Sequence, residues 1–183
     1  MEHFYYNIEG WSSEDEQGKL LNTILPIINN GDKIKIAEIG VYQGRCTAMW
    51  NTILTNSGVD YEYYAIDHFL GSAEHTKDIN YYQKTLDNLN SIIDKINIIK
   101  NDSLTEVNNY DDNYFDMVYI DASHEYEFVI EDVKQWIPKV KKGGVICGDD
   151  YHVNWPGVIK AVNEVFGNKV KIIGGYQWLV IND

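Results

Sequence analysis

Cations are scarce in this chain of 183 residues: 15 Lys and Arg stand against 28 Asp and Glu, for a formal charge of −13. A field of that sign repels nucleic-acid backbones and anionic bilayers, so neither is expected as a partner. The one basic cluster, "KVKK" at 139–142, falls where a helix is expected to end, and lysine there complements the helix dipole. Cysteine is sparse too. Cys46 and Cys147 lack any CxxC spacing, which leaves no disulfide frame and no zinc site and leads us to expect buried, reduced thiols. No apolar run approaches the roughly 18 residues that span a bilayer, and "MEHFYYNIEGWSSEDEQ" has neither a basic n-region nor an apolar h-region. A soluble, unexported, cytoplasmic protein is the expectation, in which the Asn101-Asp102-Ser103 sequon is without meaning. Proline, at three residues, builds no linker, and no repeat or low-complexity tract interrupts the chain. The length suits one domain over 1–183 with a sizeable core.

What the chain does have is alternation. The runs "KIKIAEIG" (33–40), "YEYYAID" (61–67), "INIIKND" (96–102), "FDMVYID" (115–121) and "GVICGDD" (144–150) are continuous in Ile, Val or Tyr and stop at Gly or Asp, as buried parallel strands do. Helical patterns lie between them: "CTAMWNTILTNSG", "NYYQKTLDNLNSIID" and "EYEFVIEDVKQWIPKV". In the last, Val129, Val133, Trp136 and Val140 make one stripe, ended by Gly143-Gly144. The connection "SLTEVNNYDDNY" is polar and has room for only a short helix. "WPGVIKAVNEVFGN" is a further helix, with Pro156 near its start and Gly167 at its end. "KVKII-GG-YQWLVI" then predicts two strands around a tight Gly-Gly turn. One α/β domain follows, with a mostly parallel, doubly wound sheet closed by an antiparallel hairpin.

The strands end in acids: Glu38, Asp67, Asp102, Asp121 and the pair Asp149-Asp150. Ligands of open α/β sheets bind outside the carboxyl ends of the strands, so these acids are expected on one rim. Singly, each is also a plausible loop start or helix cap. The first loop, "AEIGVYQGRCT" (37–47), has Gly40 and Gly44 but Tyr42 where a dinucleotide fingerprint has its middle glycine. Its strand also carries Glu38, which opposes a pyrophosphate and suits a cationic cofactor.

E-I-G-x-x-x-G at 38–44 resembles the first motif of class I S-adenosylmethionine (SAM)-dependent methyltransferases. "GWSSEDEQGKLL" (10–21), "IDHFLGSAEH" (66–75), "YIDASHEYEFVIEDV" (119–133), "KKGGVICGDDY" (141–151) and "GVIKAV" (157–162) extend the likeness to the macrocin-type sugar O-methyltransferase group of bacteria and viruses. The resemblance implies a Rossmann-like, seven-stranded sheet of order 3-2-1-4-5-7-6, with residues 1–30 as lid and first helix before a core over 33–183. It implies that Glu38, Gly40, Tyr42, Gly44, Asp67, Asp102, Ser103 and Asp121 surround SAM, with Asp67 on the ribose and Asp102-Ser103 on the adenine edge. "GWSSEDEQG" becomes a lid over the methionine end, although Ser12 or Ser13 ahead of Glu and Gln is also a plain capping box.

Neighbouring strands lie about 4.8 Å apart, so Asp121 and Asp149-Asp150 are expected side by side, and three such carboxylates call for a shared proton or an oxygen-loving cation. By resemblance to divalent-metal O-methyltransferases, Asp121, Asp149 and Asp150 would hold Mg²⁺, which lowers the pKa of an acceptor hydroxyl. Alternatively one of the pair caps the next helix. His124 takes the place of the lysine base of catechol-type enzymes; an imidazole accepts a proton near neutrality, and the ring also suits a helix cap or a stack on Tyr126. His68, His75 and His152 are expected on rim loops, and Phe69 is a candidate adenine partner. The expectation is therefore methyl transfer to a hydroxyl of a small molecule or sugar, possible as a homodimer. The alternatives are a metal-independent methyltransferase on an amine or carboxyl, a non-catalytic SAM-binding partner subunit and, third, a dehydrogenase.

Overall fold

A computed structural model describes residues 4–71 and 78–183. Seven strands form one sheet in the order β3-β2-β1-β4-β5-β7-β6, with β1 (Ile34–Ile39), β2 (Tyr61–Asp67), β3 (Ile96–Lys100), β4 (Phe115–Ile120), β5 (Val140–Gly148), β6 (Lys171–Ile173) and β7 (Gln177–Ile181). The first five are parallel, while β7 pairs antiparallel with both β5 and β6. This is the Rossmann-like, doubly wound sheet that the sequence leads one to expect.

Helices cover both faces. On one lie α1 (Glu14–Ile28), α2 (Arg45–Ser57) and α3 (Tyr81–Leu89), packed on Ile36, Tyr63, Tyr119 and Cys147. On the other lie the single turn α4 (Ser103–Glu106), α5 (Tyr126–Trp136) and α6 (Pro156–Phe166), against Ala37, Ile66, Val118 and Ile146. Side chains alternate across a strand, so residues two apart share a face. Glu38 follows Ile36, Asp67 follows Ala65, Asp121 follows Tyr119 and Asp149 follows Cys147; the alternation gives all four acids the parity of the α1/α2 face.

Local chemistry accounts for the boundaries. Ser13 Oγ accepts from Glu16 N at 3.3 Å and donates to Glu16 Oε2 at 2.5 Å, a reciprocal cap that starts α1. The α5 stripe is shorter than expected: the helix ends at Trp136, a 3-10 turn spans Ile137–Lys139, and Val140 opens β5 instead of closing the helix. Pro138 causes the break, having no N–H to continue the helical ladder. The chain's last turn is likewise not a two-residue one, since Gly174, Gly175 and Tyr176 separate β6 from β7. Cys46 and Cys147 are buried free thiols. Among the described residues, no helix is long and apolar enough to cross a membrane.

Candidate active site

A cavity of about 610 Å³ opens at the carboxyl ends of β1, β2, β4 and β5. Glu38, Asp67, Asp121, Asp149 and Asp150 all line it, so five acids from four strand ends do share one rim. Gly40, Tyr42, Ser103 and His124 line it as well, together with Glu9–Ser12 from the segment ahead of α1.

The β1–α2 turn is built by close backbone approach. Gly40 has φ +92°, and a Cβ there would stand 2.1 Å from the carbonyl oxygen of Asp121, so the turn is pressed against the end of β4. Tyr42 also takes a positive φ, 54°. Asp67 holds this turn: its Oδ2 accepts from the amides of Val41 and Tyr42 at 2.8 and 3.0 Å, and its Oδ1 accepts from Phe69 N at 2.6 Å. A carboxylate offers about four acceptor positions, which leaves one on Asp67 for a ribose hydroxyl.

Glu38 is fully buried. Its Oε2 accepts from Thr47 Oγ1 at 2.6 Å and Tyr63 Oη at 2.8 Å, while Oε1 has no partner. Burial, opposed by hydrogen bonds from Thr47, Tyr63 and the Cys46 thiol, pushes its carboxyl up to about 7. A buried carboxylate oxygen left without a donor on a cavity wall fits a cationic ligand group such as the ammonium of an amino acid. Arg45 opens α2 and lines the same cavity, with its Nη1 donating to Ile8 O at 3.1 Å and its buried Nε unpartnered. It is suited to the carboxylate end of that amino acid. Sequence reasoning did not single it out, although it directly follows Gly44 in the quoted motif.

Two expected cofactor residues lie elsewhere. Gly44, at φ +87°, packs against Leu89, where a Cβ would come within 2.8 Å. Asp102 turns its carboxylate to the amides of Leu104 and Thr105, at 3.0 and 3.2 Å, and caps α4. Neither lines the cavity. Ser103 does, and its hydroxyl proton is committed to the buried Asp132, so toward the cavity it can only accept.

On the opposite side, His124 Nε2 lies 2.7 Å from Asp150 Oδ2, and its ring stacks on Trp155 at 3.9 Å and 24°. Gly157 lets α6 close on this segment, since a Cβ there would meet His124 O at 2.4 Å. Tyr119 Oη donates to Asp149 Oδ2 at 3.1 Å and approaches Asp121 Oδ2 at 3.4 Å. Burial, then the charges of Asp149 and Asp150, raise Asp121 well above the usual carboxylate range; burial raises Asp149 too. The three aspartates thus share the rim, but among the described residues no three His, Cys, Asp or Glu groups are arranged to hold a metal ion. Asp150 is engaged by His124, and Asp149 by Tyr119 and by the Asp150 amide, which donates to its Oδ1 at 2.8 Å. Of the other rim candidates, His68 and Phe69 line the cavity, His152 packs against Tyr176 with ring centroids 4.2 Å apart and planes tilted by 51°, and His75 lies outside the described residues.

Comparison with known proteins gives the family and the fold. The family described as a methyltransferase domain matches residues 37–151, so the chain belongs to that family. Its fold is that of class I SAM-dependent methyltransferases. Among solved structures, the O-methyltransferase NovP superposes with a TM-score of 0.69 at 17% identity, over 90% of this chain and 79% of that one. CalS11, a TDP-rhamnose 3'-O-methyltransferase of calicheamicin biosynthesis, does so at 0.61 and 16%, over 88% and 76%. A SAM-dependent O-methyltransferase from Thermotoga maritima gives 0.66 and 12%, over 94% and 67%. At such identities the likeness is one of fold. Protein R132 of Acanthamoeba polyphaga mimivirus is 36% identical over 75 residues, and the match spans 35% of this chain and 34% of that relative.

Proposed function

We infer that the protein moves the methyl group of SAM to a hydroxyl of a small-molecule or sugar acceptor, with His124 as the base. The observation that carries this reading is the His124–Asp150 pair at 2.7 Å on the wall of the cavity that also holds the unpartnered oxygen of Glu38. In the transfer, the acceptor oxygen attacks the methyl carbon in line with the breaking sulfur–carbon bond, S-adenosylhomocysteine leaves, and the hydroxyl proton passes to the imidazole. A ring that donates from Nε2 to Asp150 carries its lone pair on Nδ1, and the carboxylate stabilises the imidazolium that forms. Glu38 and Arg45 hold the amino-acid end of SAM, and Asp67 and Ser103 its nucleoside, so that positioning supplies much of the rate.

A second reading is favoured by the crowding of Asp121, Asp149 and Asp150, whose mutual repulsion a hard divalent cation such as Mg²⁺ would relieve. Those three residues would hold it, Asp150 exchanging His124 for the ion. The chemistry it would supply is polarisation of the acceptor hydroxyl.

The test is transfer of labelled methyl from SAM to a panel of alcohols, sugars, amines and carboxylic acids, with Mg²⁺ and with EDTA. Products on oxygen of alcohols or sugars are expected, and His124→Gln should lower kcat by about 10²–10⁴-fold with the KM for SAM unchanged. Transfer only to amines or carboxylates would refute the hydroxyl reading. Activity indifferent to EDTA and to Asp149→Asn would refute the cation reading.

A further inference from the structure

A hydrogen-bonded chain runs through the apolar core under the sheet and ends at the rim. Trp50 Nε1 donates to Gln17 Oε1 at 2.7 Å, Gln17 Nε2 donates to Tyr119 Oη at 3.2 Å, and Tyr119 Oη donates to Asp149 Oδ2 at 3.1 Å. Trp50, Gln17 and Tyr119 come from α2, α1 and β4 and are all inaccessible to solvent; the rings of Trp50 and Tyr119 pack 4.7 Å apart.

Chemistry fixes the direction of this chain. An indole nitrogen can only donate, so the Gln17 oxygen must face Trp50 and its amide nitrogen must face Tyr119. Tyr119 Oη therefore accepts from Gln17, and its single proton is left for a carboxylate. Two stand within reach: Asp149 at 3.1 Å, whose other oxygen accepts from Asp150 N at 2.8 Å, and Asp121 at 3.4 Å. Strand geometry puts them there: Asp121, just past the end of β4, has the same parity as Tyr119, and Ile120 pairs with Gly148, so that Asp149 emerges beside them.

The bonds satisfy three buried polar groups, but apolar packing alone does not require polar groups at these positions. Replacing mutually bonded polar groups in a core by apolar groups of the same shape is often close to neutral for stability. We propose that Tyr119, directed by Gln17, is a positioning residue that fixes the rotamers of Asp149 and Asp121 at the acceptor side of the cavity. The inference rests on the reading of those aspartates as acceptor-side groups. It ties their aim to α1, the helix that directly follows the cavity-lining segment Glu9–Ser12.

Two substitutions act on the proton in different ways. Tyr119→Phe removes the donor. Gln17→Glu keeps the size and the Trp50 contact but offers Tyr119 a carboxylate, drawing its proton away from Asp149. The test is crystal structures of both variants and the wild type, each with S-adenosylhomocysteine, with calorimetric affinity for that ligand and Mn²⁺ affinity by electron paramagnetic resonance. Both variants are expected to bind S-adenosylhomocysteine as the wild type does, yet to show Asp149 and Asp121 rotated or split between rotamers. In a wild type that binds Mn²⁺, Tyr119→Phe should weaken the ion by about tenfold. Wild-type rotamers retained in both variants, with only a lower melting temperature, would overturn the inference. A wild type that takes up no Mn²⁺ would count against the cation reading and leave the rotamers to decide this one.

Discussion

Tyr63 of β2, two residues before the ladder partner of Glu38 on β1, donates a 2.8 Å hydrogen bond to one oxygen of the Glu38 carboxylate, while the other oxygen is buried without a partner. Burial raises this carboxyl to about 7, so near neutral pH a good part of it is protonated in the empty protein. A cationic ligand group favours the charged form, and binding should expel that proton. Calorimetry of S-adenosylhomocysteine near pH 7, in buffers of differing ionisation enthalpy, should show proton release by the protein. Glu38→Gln should abolish the release and weaken binding by about tenfold or more. Equal heats in all buffers with the wild type would contradict this role.

The approach of Gly40 to Asp121 predicts an asymmetry between two glycines of nearly equal φ. A Cβ at Gly40 meets the Asp121 carbonyl at 2.1 Å, whereas one at Gly31, φ +96°, meets nothing within 4 Å. Gly31→Ala should cost only backbone strain, about 1 kcal/mol, and Gly40→Ala about 2–4 kcal/mol with loss of ligand binding. Urea unfolding of the two variants measures this, and equal costs would show that the contact carries no weight.

Asp132, buried in α5 and bonded by Ser103, should make the protein less stable as pH rises. Burial, opposed by that hydrogen bond, raises its pKa from 3.8 to about 6. Between those values the folded protein binds the proton more tightly than the unfolded chain, so this contribution to stability falls through that window and levels off above it. Asp132→Asn removes the penalty while keeping an acceptor for Ser103. Relative to the wild type, the variant should gain up to about 3 kcal/mol between pH 4 and 6. A difference in unfolding free energy that stays flat from pH 4 to 7 would dismiss the assignment.

Much of the architecture was legible because it rests on patterns that survive in one dimension. The apolar runs at 33–40, 61–67 and 115–121 became parallel strands, their terminal acids gathered on one rim, and the E-I-G-x-x-x-G turn pointed to the cofactor end. The misses have local causes. Val140 continues the helical stripe of α5 by spacing, but Pro138 decides where the helix stops. Asp102 ends its strand like the other acids, and its Oδ1 accepts from the free amides of α4, a cap the strand pattern does not reveal. Gln17, Trp50 and Tyr119 could not be recognised, since buried aromatics and a lone glutamine in a helix look like core and surface until three elements bring them together. Arg45 was hidden for a related reason: only the folded chain brings it to the cavity wall, with Ile8 O against its guanidinium.

The central claim is that this rim binds SAM through its cationic end. Calorimetric titration of the purified protein with S-adenosylhomocysteine, with NADH as control and with Mg²⁺ or EDTA present, tests it most directly. The account predicts saturable binding of S-adenosylhomocysteine and none of NADH, with a shift on adding Mg²⁺ only if the three aspartates take up the ion. Binding of NADH alone, or of neither ligand, would contradict it.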